Sequence, residues 1–300
     1  MSNTMAPQPE RPAFEEWAQA RLAEINEPPE GQGWHLVFDP LAGPDLLAEA
    51  GRADSSAKFW PLYLNTYIEE ALASGPHMVR LEPHSPLSGW ALSKMRDMAL
   101  GLLFLAETDK FEALYEHLQN FFECRLPGGR RAFFRYYDPR QFYGFTTYGD
   151  PDQGLLLLGP ALKALGWEPG REITMELSQP RDRGFRCPPG GLGVGDAFSD
   201  HLFRECRIHT VIGGIINQVG EHYKARLAAK PLPEAYAMVQ RLADQLAEYP
   251  LNNNNLALAT FITIDKGQSF WRRPEVREAL RNSGPGLDGF KKTLVELHQA

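Results

Sequence analysis

The chain has 300 residues, enough for two domains of ~150 residues each or for one large domain, and its 23% charged and 43% hydrophobic content is normal for a soluble globular protein and does not require global disorder. With 31 Lys and Arg against 38 Asp and Glu the net charge is −7, which repels a phosphate backbone and excludes nucleic acid as the expected partner. Three scattered cysteines, Cys124, Cys187 and Cys206, make no disulfide framework and point to a reducing, cytoplasmic setting.

Residues 1–12 are polar and proline-bearing, which predicts a flexible tail without the basic-then-apolar form of a signal peptide. Phe14, Trp17, Ala18, Leu22 and Ile25 recur at helical spacing, and Pro28-Pro29-Glu30-Gly31 ends that helix. Trp34–Asp39 predicts a strand closed by an Asp-Pro corner, followed by a short helix carrying Leu46, Leu47 and Ala50. Phe59–Leu64 and His77–Leu81 read as further strands, with a short element at Trp90-Ala91-Leu92. Leu100–Leu105 has the continuous apolar character of a strand buried on both faces, placing the centre of the sheet there. Asp109 and Glu112 read as a capping pair for a helix with Phe111, Leu114, Tyr115 and Leu118 as its apolar stripe.

A hairpin at residues 124–130 leads into Phe133–Tyr137, an aromatic stretch that predicts a strand with Phe133, Arg135 and Tyr137 on one face and Phe134 and Tyr136 on the other. Asp138 and Pro139 then start a helix, Asp as cap and Pro at the first position. From Gly166 to Gly195 the periodicity fails and Pro, Gly and Arg accumulate, with Glu172–Leu177 as the one strand. Beyond it the apolar spacing is helical to the end. The expected organisation is a tail (1–12), an α/β (α+β) lobe with a mixed sheet and packed helices (13–165), a linking region (166–195) and a smaller all-α lobe (196–300). The longest apolar run, Met98–Ala106, falls short of the ~20 residues a spanning helix needs, so no membrane span is expected.

Chemical motifs are sparse. Cys187, His201, Cys206 and His209 are the right ligand types for zinc, yet they lack a close Cys pair, and no metal or cofactor is expected. Gly191-Leu192-Gly193-Val194-Gly195-Asp196 has the look of a phosphate loop, but no strand precedes it and no Lys-Ser/Thr follows, so it reads as a flexible loop. There is no Gly-x-Ser-x-Gly nucleophile turn. The pairs Glu15-Glu16 and Glu69-Glu70 are sequence neighbours that point apart on a helix.

The aromatic, arginine-bearing stretch that closes in Tyr-Asp-Pro-Arg, preceded by a helix and the hairpin Cys124-Arg125-Leu126-Pro127-Gly128-Gly129-Arg130, resembles the effector chaperone (adaptor) family of type VI secretion systems. Phe38-Asp39 and the Gly75-Pro76…Val79-Arg80-Leu81 stretch agree with that pattern, which spans roughly residues 34–165. A weaker likeness runs through Gly267-Gln268-Ser269-Phe270-Trp271 and the helices after it. The resemblance implies a non-catalytic protein that binds a secreted toxin effector and helps load it onto the spike protein. On that reading Arg135 and Tyr137 are candidate partner contacts, weighed against a purely structural arginine stacked on rings and paired with a carboxylate, while Asp138 and Pro139 are a structural motif. The alternative class is a soluble hydrolase or metal-dependent enzyme with a site between the two lobes.

Overall fold

Strand β1 (Gln32–Phe38) is buried along its whole length, and the main sheet grows outward from it on both sides. The computed structural model describes residues 13–179, 192–218, 226, 232–283 and 286–299. The chain divides into two compact units, Met1–Ser199 and Asp200–Ala300.

In the first unit, β1 pairs with β3 (His77–Leu81) and with β4 (Gly101–Glu107). Beyond β3 lies β2 (Phe59–Pro61), and beyond β4 come β7 (Ala161–Glu168) and β8 (Ile173–Ser178), giving the order β2-β3-β1-β4-β7-β8. Every pairing in this sheet is antiparallel. A smaller sheet takes β5 (Glu123–Arg125) between antiparallel β6 (Arg131–Phe133) and parallel β9 (Leu192–Gly193). Mixed pairing therefore belongs to the small sheet, not to the main one.

Register sorts the main sheet into two faces. Leu36 lies between Val79 and Leu103, and Leu103 is opposite Leu165, so these side chains share one face. They join one core with residues of α1 (Phe14–Asn26), α2 (Leu46–Ala53) and α3 (Pro86–Asp97), among them Trp17, Ile25, Ala50 and Leu87. The opposite face receives α4 (Phe111–Gln119), α5 (Pro139–Tyr148) and α6 (Pro151–Leu158). Helices thus cover both faces of an antiparallel sheet, an α+β arrangement.

Asp-Pro steps set three of the corners. Asp39, Asp138 and Asp150 each accept a hydrogen bond from the amide two residues on, of Leu41 (2.9 Å), Arg140 (3.0 Å) and Asp152 (2.9 Å). The first opens a 3₁₀ turn, Pro40–Ala42, and the other two open α5 and α6. Ser85-Pro86 does the same for α3, a full helix where a short element at Trp90 was expected.

Several expectations are corrected. Asp109 and Glu112 do not cap α4, which starts after the 3₁₀ turn Thr108–Lys110 with no side-chain cap. The strand expected over 59–64 stops at Pro61, where Leu62–Asn65 turn away. Residues 166–178 are not a linker: the end of β7 and all of β8 complete the sheet, because the β7–β8 register runs unbroken from Lys163↔Ser178 to Glu168↔Ile173. Leu192 and Gly193 are strand, not loop. The tail at 1–12 and the Pro/Gly-rich 180–191 lie outside the described residues.

Helix α7 (Asp196–Gln218) runs across the unit boundary. The second unit is helical among its described residues, with α8 (Leu232–Gln245), α9 (Asn253–Lys266), α10 (Pro274–Arg281) and α11 (Leu287–Gln299). Helix α9 is its axis: Leu256, Ala259 and Ile262 are fully buried, and Thr263 accepts a hydrogen bond from the Trp271 indole at 2.8 Å. No helix among the described residues is long and apolar enough to cross a membrane.

Candidate partner-binding surface

The stretch read as a strand through Tyr137 leaves the sheet after Phe133. The Asp138 amide donates to the Arg135 carbonyl (2.8 Å), closing a turn over residues 135–138. The reason is packing. Phe134, Tyr136 and Tyr137 are all buried, and consecutive Tyr136 and Tyr137 point inward together only if the backbone rotates out of strand alternation. Their rings then meet edge-on at 5.5 Å, with Phe122 stacked on Tyr136 at 5.7 Å.

Arg135 pairs with Asp39, the cap of the first Asp-Pro corner, and its guanidinium lies 5.6 Å from the centre of the Tyr137 ring. Its backbone amide donates to Gln141 in α5 at 2.9 Å. Tyr137 hydrogen-bonds Tyr63 at 3.2 Å, and burial holds its phenol far above the ordinary value. Asp138, besides capping α5, pairs with the guanidinium of Arg140. Of the two candidate contacts, Tyr137 packs inside the unit at 2% exposure, and Arg135 presents a third of its side chain while holding a nearly buried carboxylate. The sequence reading missed Asp39 as the partner, although the two Asp-Pro steps were its visible signal.

Three groups with strong shifts, His35, His117 and Cys124, serve the fold. Burial, with Arg80 nearby, lowers His35 to about 4, and burial lowers His117 to about 4 while its Nε2 meets the Leu157 carbonyl at 3.0 Å. Burial pushes the Cys124 thiol up to about 11, which suppresses the thiolate. No group of three or more His, Cys, Asp or Glu side chains is placed to hold a metal among the described residues. Of the four zinc-type residues, Cys187 and the side chains of Cys206 and His209 lie outside what is described, and His201 sits 4.0 Å from Glu205.

The surface that stands out is the β5–β6 hairpin. The Phe134 amide donates to Phe122 (2.8 Å) and the Leu126 amide to Arg130 (2.7 Å), which makes 122/134, 124/132 and 126/130 the bonded pairs. The backbone groups of Arg131 and Phe133 therefore face away from β5, along the outer edge of the small sheet, where no described strand pairs with them. Phe133 is 43% exposed, and its ring stacks at 6.2 Å on buried Phe122, so it is the outward end of the aromatic core. Tyr67 is 65% exposed and lies next to the carboxylate of Glu123, the residue opposite Phe133. Arg125, Arg130 and Arg131 are exposed around them; Arg131 pairs with Glu123 at 3.2 Å, and neither Arg125 nor Arg130 has an ion-pair partner among the described residues. An unpaired strand edge flanked by exposed rings and cations is suited to receiving an extended segment of another chain.

The architecture defines an α+β unit with an open secondary edge followed by a helical unit. Residues 34–154, from β1 to the middle of α6, match the family model described as Domain of unknown function (DUF4123), which thus takes in the hairpin, the 135–138 turn and all three Asp-Pro corners. No curated protein and no solved structure matches the chain.

Proposed function

We propose that the chain is a non-catalytic adaptor that binds a type VI secretion effector and assists its loading onto the spike protein. The observation that carries this reading is the match of residues 34–154 to a domain found in chaperone and adaptor proteins associated with such effectors. The hairpin edge inside that span supports it physically. Backbone groups of Arg131 and Phe133, with Phe133 and Tyr67 beside them, offer main-chain hydrogen bonds and apolar area to a partner strand. His35, His117 and Cys124 are buried in packing roles, with shifts that come from burial, and this supports binding over chemistry at those three groups.

The test is co-expression of the full chain with a candidate effector encoded nearby. The effector is expected to be poorly soluble alone and soluble in a complex that survives gel filtration. Arg131→Pro, which removes an amide that faces the outer edge and leaves the β5–β6 bonds in place, and Phe133→Asp are expected to weaken that complex without changing the melting temperature by more than a few degrees. Effector solubility that is the same with and without the chain would sink the adaptor reading and make a hydrolase assay the next step.

A further inference from the structure

The second unit contains a cleft of about 540 Å³ between α8, the 3₁₀ turn Gln268–Arg272 and α10. Its inner wall is apolar, formed by Leu246, Tyr249 and Trp271, and three arginines line it: Arg241 from α8, Arg272 from the turn and Arg277 from α10. All three are exposed, and none has an ion-pair partner among the described residues. The nearby acids are less available. Asp244 is 3.6 Å from Arg204, and Glu248 lies against Tyr249, where burial and that carboxylate raise the phenol's pKa and Arg277 lowers it. Across the wall, the Gln268 amide reaches Gln245 at 3.4 Å, joining the turn to α8.

Charge separates this unit from the rest. Residues 200–300 hold 13 Lys and Arg against 11 Asp and Glu, whereas residues 1–199 hold 18 against 27. Three unpaired guanidiniums from three elements around an apolar wall exceed what one small anion would use, because a lone phosphate leaves Tyr249 and Trp271 unemployed. We propose that this cleft receives an acidic peptide segment carrying one aromatic or long apolar side chain, the side chain seated on Tyr249 and Trp271 and the flanking carboxylates on Arg241, Arg272 and Arg277. Planar guanidiniums pair with carboxylates bidentately, and an arginine rim around an aromatic wall is the composition that binding energy concentrates on. The proposal gives the chemistry of a partner and rests on the adaptor reading.

The experiment selects twelve-residue peptides of random sequence displayed on phage against the immobilised full chain, then measures the selected peptides by fluorescence polarisation. Selected sequences are expected to place Asp or Glu on both sides of Phe, Trp, Leu or Met. Their affinity is expected to fall about tenfold or more in R241E/R277E and to weaken with salt. If that double variant melts early, Arg272→Gln supplies a milder test with an expected loss of about threefold. Selection without the acidic and apolar signature, or affinities unchanged in a variant that melts like the wild type, would overturn the proposal. Inorganic phosphate binding that the arginine variant loses, with no peptide retained, would also overturn it in favour of a small-anion site. The selection uses no effector, so a failed effector rescue with a positive selection removes the adaptor reading alone, and the reverse removes the cleft.

Discussion

The two units are built from contacts of different reach. In the first, β1 at residues 32–38 pairs with β4 at 101–107, which pairs with β7 at 161–168, so each strand waits for partners far along the chain. In the second, α9 packs on α8 and the 268–272 turn, which adjoin it in sequence, and on α11, which follows after one short helix. The contrast teaches where each unit is vulnerable. A strand that slips by one residue turns its whole apolar set to the wrong face, whereas a helix in a bundle keeps its stripe when a neighbour shifts. The first unit is also the acidic one and holds the whole family match, and the second holds the cationic cleft.

The largest expected break in this contrast is in the central strand. Phe104→Ala, at a fully buried position of β4, is expected to cost about 3–5 kcal/mol and to lower the unfolding transition of the first unit. Calorimetry resolving two transitions would check it; an equal drop in the transition of residues 200–300 would erase the distinction between the units.

Acid is the next probe. His35 and His117 are neutral when folded, with values near 4 against 6.5 in the unfolded chain, so the unfolded state binds more protons between those limits. Their contribution is complete above about pH 6.5 and lost as pH falls towards 4, of the order of 3 kcal/mol for each. Denaturant titrations from pH 7 to 4 should show this slope in the first unit, and His35→Gln should flatten it. A slope unchanged in that variant would remove the histidine from the account.

Substitutions at four positions, with smaller effects, sharpen the comparison. Arg135→Ala leaves the nearly buried Asp39 carboxylate without its partner and is expected to cost about 2–3 kcal/mol, with Lys recovering part of it. Urea midpoints for Ala and Lys variants that coincide with wild type would show that the pair is idle. Gly159→Ala should cost about 2 kcal/mol, because φ is +56° there and a Cβ would lie 2.3 Å from the His117 ring. Asp138→Ala should cost about 1 kcal/mol, and Asp150→Ala much the same, each through a lost cap. Loss of effector binding in an Asp138→Ala protein that melts normally would move that residue to the partner surface.

Legibility followed the range of the forces. Helix α1, strands β1 and β4 and the helices of the second unit were readable because apolar spacing is a local property. The Asp138-Pro139 corner was readable because cap and ring act within two residues. Strand β8 was half visible at Glu172–Leu177, yet its place in the sheet depends on β7, which no local pattern reveals. The turn at 135–138 was hidden for a related reason: aromatic composition favours a strand there, and burial of two consecutive tyrosines overrides it. At the surface, Arg131 and Phe133 carried no motif, since an open edge is the absence of a neighbour and is visible only once strand order is known.

The pairing of β4 with β7 has a further consequence for how the molecule is made. Residues emerge from the ribosome in order, and β4 has β1 beside it long before β7 has been translated. Until residue 168 is out, the nascent chain carries Leu102, Phe104 and Ala106 on a strand whose second edge is open, with α5 and α6 lacking the β7–β8 hairpin that they pack against. The matched segment 34–154 therefore lacks two strands of the main sheet, β7 and β8, and a chain released at residue 154 is expected to be prone to sheet-to-sheet association.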